Sequence, residues 1–191
     1  LGDPQTLMKR LDIPPEQAQY IDVPSTFPIE NRPVFYYPTI KVNRNTGPEE
    51  WAVLASRIKH IADMPRLANE KAIVHTVSYK VVRELRQYLN ADPRFVFHTK
   101  AEEKLELIEL LKDEGGGGRI VLSPSLGRGV DISNIRWQVI VKIPFGNLGD
   151  PITKLRREYK RADDPQFGRR NYDEEAMSSV VQAAGRAVRG P

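Results

Sequence analysis

The stretch Ala72-Ile73-Val74-His75-Thr76-Val77-Ser78-Tyr79-Lys80-Val81-Val82-Arg83-Glu84-Leu85 changes its period midway. Ala72-Ile73-Val74 is short and wholly apolar, the pattern of a strand buried on both faces. From Tyr79 to about Asn90 the apolar positions Val82, Leu85 and Leu89 recur at helical spacing instead. The same alternation repeats downstream. Phe95-Val96-Phe97 is a strand, about Ala101–Lys112 a helix with Leu105, Ile108 and Leu111 inward, and Ile120-Val121-Leu122 and Val139-Ile140-Val141 two further strands. Short apolar strands alternating with helices predict an α/β domain with a mainly parallel sheet and helices on both faces.

Outward from this core, Gly47-Pro48 opens a helix striped by Trp51, Leu54, Ile58 and Ile61 and closed by Pro65. Asp150-Pro151 opens another, with Ile152, Leu155 and Tyr159 on its inner side. A polar loop over Arg161–Asn171 leads to a final helix from Asp173, whose apolar side is Met177, Val180, Val181, Ala184 and Val188. Residues 1–47 form an irregular, proline-rich lead-in, and residues 48–191 the regular domain. Eight of the 15 prolines lie at or before Pro48, which leaves a short helix ending near Lys9–Asp12 and extended pieces at Tyr20–Val23 and Val34–Tyr37. Both ends read as cut, so the chain is expected to be a fragment of a larger protein.

Composition narrows the chemistry. Cysteine is absent, which excludes disulfides, thiolate metal sites and cysteine nucleophiles in this chain. His60, His75 and His98 lack metal-ligand spacing and are read as non-ligands. The net charge of +4 is compatible with a polyanionic partner without requiring one. No secretion signal or membrane-length apolar run is present, so a cytoplasmic setting is expected, nucleoid-associated in a prokaryote.

In parallel α/β sheets, ligands bind where the strands end. Ser78, after the first strand, suits either a helix cap or a nucleic-acid phosphate; Thr99, after the second, carries the same two readings. The third strand leads into Ser123-Pro124-Ser125-Leu126-Gly127-Arg128-Gly129-Val130-Asp131. Its glycines allow close backbone approach to a ligand. Asp131 suits a ribose hydroxyl, an arginine partner or a plain turn. On the last helix Gln182, Arg186 and Arg189 share the side opposite the apolar stripe, at i, i+4 and i+7. Guanidinium forks there suit phosphate oxygens, although a solvated basic face has the same pattern. Gly115–Gly118 is a connector rather than a phosphate loop, because it follows a helix and precedes a strand. A basic run of Lys154, Arg156, Arg157, Lys160, Arg161, Arg169 and Arg170, interrupted by Glu158, Asp163 and Asp164, fits a solvated surface or a DNA track.

Taken together, Gly127-Arg128-Gly129-Val130-Asp131 and Gln182-Ala183-Ala184-Gly185-Arg186-Ala187-Val188-Arg189 resemble motifs V and VI of superfamily 2 helicases. Ile143-Pro144-Phe145, Asp150-Pro151-Ile152 and Leu155-Arg156-Arg157-Glu158-Tyr159 between them are similar to the DinG/XPD branch, and Thr76-Val77-Ser78-Tyr79 resembles its motif IV. The resemblance spans about residues 70–190. It implies a second RecA-like motor domain, of the P-loop NTPase type, from an ATP-dependent DNA helicase of 5′→3′ polarity active in DNA repair. It implies that Arg186 and Arg189 reach the ATP γ-phosphate across a cleft, that Gln182, Gly129 and Asp131 serve the nucleotide side, and that Ser78, Tyr79, Thr99 and Ser123 face single-stranded or forked DNA. ATP and Mg²⁺ would be held mainly by the first RecA-like domain of the same protein, and any iron–sulfur cluster would lie there too. Arg128 stands where many relatives carry glutamate, so no role transfers to it. Two other readings stay open: a nucleic-acid-binding module with a degenerate, non-hydrolysing motor, and an unrelated doubly wound nucleotide binder.

Overall fold

The computed structural model describes residues 4–24, 30, 33–113, 115, 117–127, 131–132 and 135–185. Within them the helices are α1 (Pro4–Leu11), α2 (Pro48–Ala62), α3 (Tyr79–Leu89), α4 (Lys104–Lys112), α5 (Pro151–Glu158) and α6 (Phe167–Ala184). The strands are β1 (Ala72–His75), β2 (Phe95–Phe97), β3 (Ile120–Ser123) and β4 (Trp137–Ile140), ordered β2-β3-β1-β4. All three pairings are parallel, with His75 level with Ser123 on one side and Ile140 on the other. The described residues pack as two units.

The larger unit, residues 29–143 and 182–191, contains the sheet. Strand side chains alternate between faces. Ala72, Val74, Ile120 and Leu122 look into a core closed by Trp51, Leu54 and Ile58 of α2 and Val82, Leu85 and Leu89 of α3. Ile73 and Val121 look the other way, into a core closed by Leu107, Ile108 and Leu111 of α4 and by Leu126, Ile132 and Ile135. The first crossover moves outward from β1 to β2 and the second returns to β3. Right-handed connections running in opposite directions must use opposite faces, which places α3 and α4 on different sides. This is the three-layer α/β arrangement expected of a RecA-like domain. Its last strand begins two residues earlier than the apolar run implies, because Trp137 pairs with Ala72 and fills the α2–α3 core. Leu105, expected inward on α4, is exposed; Leu107 occupies the core instead.

The smaller unit comprises residues 1–28 and 144–181. Ion pairs Lys9–Asp163, Arg10–Glu175 and Arg161–Asp12 join its amino-terminal part to the stretch after α5. Residues 4–24 therefore belong spatially with residues 144–181, whereas residues 33–47 go with the sheet. Asp150 caps α5, accepting from the Thr153 backbone amide at 2.9 Å and its hydroxyl at 2.7 Å. The final helix starts at Phe167, six residues before the position expected, so the polar loop is shorter than its composition implied. Gly168 permits this. A Cβ there would run into the carbonyl oxygens of Arg156, Arg157 and Tyr159, and its amide donates to Tyr159 O at 3.0 Å.

Several expected faces are corrected by these contacts. Ile152 and Leu155 lie on the exposed side of α5, which buries no residue, and Tyr159 falls just past its end and is exposed too. Met177 and Val181 are exposed on α6, and Ala176 and Ala183 are the residues it buries in its second half. The small side chains set that face, which a search for large apolar residues overlooks. Val188 lies outside the described residues. Tyr20–Val23 and Val34–Tyr37 join no ladder, the sheet having four strands among the described residues.

Candidate functional site at the carboxyl edge of the sheet

Ser123 ends β3, and the polar groups of the edge converge on it. It is fully buried. Its carbonyl accepts from the Thr76 amide at 3.1 Å. Its hydroxyl lies 2.7 Å from His98 Nδ1 and accepts from the Ser125 amide at 3.2 Å. His98 is also fully buried, and Tyr79 meets it edge-on with ring centroids 5.3 Å apart. Thr76 Oγ1, His98 Nε2 and Ser125 Oγ are buried and have no hydrogen-bond partner among the described residues. Native interiors leave few such groups, and those they do leave call for a reason.

Between Thr76 and Ser78 the backbone turns through Val77 at φ 67°. A β-branched residue in the left-handed region is strained. The strain sits in the turn that sets Ser78 at the start of α3, where its hydroxyl accepts from Val81 N at 3.4 Å. Ser78 is exposed and Tyr79 half-buried. Thr99 is differently placed. Its hydroxyl donates to Glu103 Oε1 at 3.0 Å, and its amide and that of Lys100 donate to Glu103 Oε2 at 2.7 and 3.1 Å. These donors, the Thr99 amide foremost, hold the Glu103 carboxyl below the ordinary range. A carboxylate therefore faces Thr99, an environment that opposes a phosphate oxygen. Ser123 is likewise turned inward, so its side chain organises the edge rather than reaching the surface.

A second group of contacts brings the motif-like segments together. His75 Nε2 lies 2.8 Å from Gln138 Oε1, and Gln138 Nε2 donates to Ala184 O at 3.0 Å. A Cβ placed on Gly127 would touch both His75 Nδ1 and Ala183 Cβ at 3.6 Å. Thus the end of β1, the loop after β3, the middle of β4 and the last turn of α6 meet at one place. Leu126 and Ile132, both fully buried, fix that loop in the core on either side of its glycines. Asp131 is exposed, and so is Gln182. Gly129, Arg128, Arg186 and Arg189 lie outside the described residues.

His75, His98 and Gln138 were not singled out from sequence. The available signal was position. Each histidine ends or follows a strand, and Gln138 is the one polar residue within the β4 run Trp137-Gln138-Val139-Ile140.

The basic run of the smaller unit divides in two. Arg161 is committed to Asp12, Asp163 and the Lys9 carbonyl, and Arg170 to Asp164. Arg157, Lys160 and Arg169 line an open depression with Glu158, Pro165 and Gln166. Among the described residues no group of three or more His, Asp or Glu side chains is placed to hold a metal ion, and no helix is long and apolar enough to cross a membrane.

No curated protein shows significant similarity to the chain. A family model, the helicase C-terminal domain, matches residues 61–191 and so takes in the whole sheet and every motif-like segment discussed above. The chain belongs to the helicase C-terminal domain family and is a helicase motor domain.

Proposed function

We propose that this chain is the second motor domain of an ATP-dependent DNA helicase of DinG/XPD type with 5′→3′ polarity, active in DNA repair. The observation that carries this reading is the meeting of Gly127, His75 and the last turn of α6 at the carboxyl edge of the sheet. Arg186 and Arg189 follow that turn by two and five residues.

Phosphoryl transfer is catalysed mainly by positioning and by neutralising charge on the transferred group. In this reading Arg186 and Arg189 extend toward a γ-phosphate bound by a first RecA-like domain. Gln182 and Asp131 present polar groups to the nucleotide side, and Gly129 keeps the backbone close. In this reading ATP and Mg²⁺ are held mainly by the first RecA-like domain, and any iron–sulfur cluster lies there too. Ser78 and Tyr79, at the accessible start of α3, face the single strand. Ser123 supports them through His98, and Thr99 is withdrawn from contact by Glu103. Closure of the cleft would then bring the arginines to phosphate, and its reopening would shift one DNA-gripping surface against the other.

The test is nucleic-acid-stimulated ATP hydrolysis by the parent protein. Arg186→Ala and Arg189→Ala are each expected to lower turnover by about 10³-fold or more while leaving thermal unfolding unchanged. Residues 1–191 alone are expected to give no turnover. Near-normal hydrolysis in both arginine variants sinks the reading. A wild-type parent that binds single-stranded DNA without hydrolysing ATP establishes the degenerate module instead.

A further inference from the structure

We propose that Arg157, Lys160 and Arg169 of the smaller unit grip the phosphate backbone of single-stranded nucleic acid; this rests on the nucleic-acid part of the reading above and is independent of Arg186 and Arg189. Seven basic residues lie from Lys154 to Arg170. The fold sorts them. Arg161 is held by Asp12 and Asp163, and Arg170 by Asp164. Arg157, Lys160 and Arg169 have no carboxylate partner among the described residues and line one depression, in which Glu158 is the one acidic residue described. Backbone packing brings the three together. The Gly168 amide donates to Tyr159 O at 3.0 Å, and a Cβ on Gly168 would meet the carbonyl oxygens of Arg156, Arg157 and Tyr159. The end of α5 and the first turn of α6 are therefore pressed close, which carries Arg157 and Lys160 up to Arg169.

Two features separate this cluster from an ordinary solvated surface. The first is uncompensated charge. Arg169 and Arg170 stand in the first turn of α6, where there is no acidic residue. A helix start is itself positive, so cations placed there are opposed. Asp164 offsets Arg170, whereas Arg169 shares the depression with two further cations. A phosphate among the three relieves that repulsion, and guanidinium forks suit its oxygens. The second feature is preorganisation. Arg157 is half-buried, and its guanidinium lies over the Tyr172 ring, 5.7 Å from the centroid. Tyr172 is fixed in turn by stacking on Phe145, with centroids 5.4 Å apart, and by donating to Gly146 O at 2.7 Å. A side chain already held loses less freedom on binding. Tyr159, exposed between Glu158 and Lys160, offers a ring to an unpaired base. Basic grooves combined with exposed rings suit single strands, whose bases are free to stack.

The experiment measures binding of a fluorescent single-stranded oligonucleotide, and of its duplex, by the parent protein without ATP over a range of salt concentrations. The triple variant Arg157→Gln/Lys160→Gln/Arg169→Gln is expected to bind the single strand about a hundredfold more weakly at about 0.1 M salt. Its log–log salt slope should be shallower by about 2, since each single-strand phosphate contact contributes about 0.7. Glu158→Gln removes the opposing charge and should tighten binding about two- to fivefold. Both variants should melt close to wild type. Affinity and slope unchanged in both variants, while the wild-type parent binds, overturn the proposal and leave the nucleic-acid reading standing. A loss confined to the duplex overturns the single-strand assignment. If the triple variant fails to fold, unchanged binding by Glu158→Gln overturns the proposal by itself. If the wild-type parent binds neither oligonucleotide, the reading above falls and this proposal falls with it.

Discussion

The two edges of the β-sheet use their polar groups in opposite ways. At the amino edge, charges are matched. Arg94, just before β2, donates to both oxygens of Asp92, to Asp63 and to the Ala62 carbonyl that ends α2, and Lys59 joins both carboxylates. Lys71, buried just before β1, donates to the Leu111 and Asp113 carbonyls at the end of α4. Arg119 Nε and Trp137 Nε1 lack partners among the described residues, but each belongs to a side chain otherwise engaged, Arg119 with the Pro93 carbonyl and Trp137 with the apolar core. At the carboxyl edge the described contacts around Ser123 are of another kind. Hydroxyls and an imidazole gather round Ser123; Thr76 Oγ1, His98 Nε2 and Ser125 Oγ have no partner among the described residues, and a valine is held at positive φ. One edge ties helices to the sheet. The other stores polarity and strain where parallel sheets present ligands, which is the expected distribution when stability and function are separated along the strand direction.

The largest effect that separates the edges is expected from Arg94→Ala. It leaves Asp92 and Asp63 without their main partner and frees the α2 terminus, for a loss of about 2–3 kcal/mol in denaturant unfolding. Hydrolysis per folded molecule in the parent should be unchanged. A drop in turnover with intact stability would break the division of labour between the edges.

Acid sharpens the same contrast. The Arg94 guanidinium, aided by Lys59, holds the Asp92 and Asp63 carboxyls below their ordinary range. A depressed pKa in the folded state gives stability that is complete above the unfolded value, near 4, and is lost as pH falls through the folded one. Wild-type stability should therefore decline as pH drops below about 4, and Asp92→Asn should flatten that decline. Equal slopes in the two proteins would remove the amino-edge cluster from the account.

Ser123→Ala addresses the other edge. It leaves the Ser125 amide and His98 Nδ1 without their partner, a loss of about 1–2 kcal/mol. Unlike Arg94→Ala, it should also weaken single-stranded DNA binding by the parent, because Tyr79 rests on His98. Loss of stability alone, with binding unchanged, would reduce Ser123 to a structural residue.

The sheet was legible in sequence because short apolar runs and helical stripes give a strong periodic signal. Ala72–Val74, Phe95–Phe97 and Ile120–Leu122 each became a strand, and Trp51, Leu54 and Ile58 became core. The helices near the end were harder to read, since their packing rests on small residues. Gly168 and Ala176 leave no hydrophobic mark, whereas Leu155 and Met177 do and are exposed. At the candidate site, motif spacing pointed to the loop after β3 and the end of α6, which lie together at Gly127 and Ala183. It could not identify Gln138, whose partners are 63 and 46 residues away in the chain. Nor could spacing distinguish Ser78, which is accessible, from Thr99, whose hydroxyl is taken up by Glu103.

The smallest effect concerns Val77. Glycine adopts positive φ freely, whereas a β-branched residue is held there at a cost on the order of 1–3 kcal/mol. Glycine also raises the entropy of the unfolded chain, which offsets part of that gain. Val77→Gly should therefore leave stability unchanged or raise it by about 1 kcal/mol. If the strained turn serves to aim Ser78 and Tyr79, the same variant should bind single-stranded DNA more weakly, since the loosened turn no longer selects one geometry. A variant that is less stable and binds normally would mean that Val77 contributes packing rather than strain. The carboxyl edge would then owe its character to the unpartnered groups around Ser123 alone.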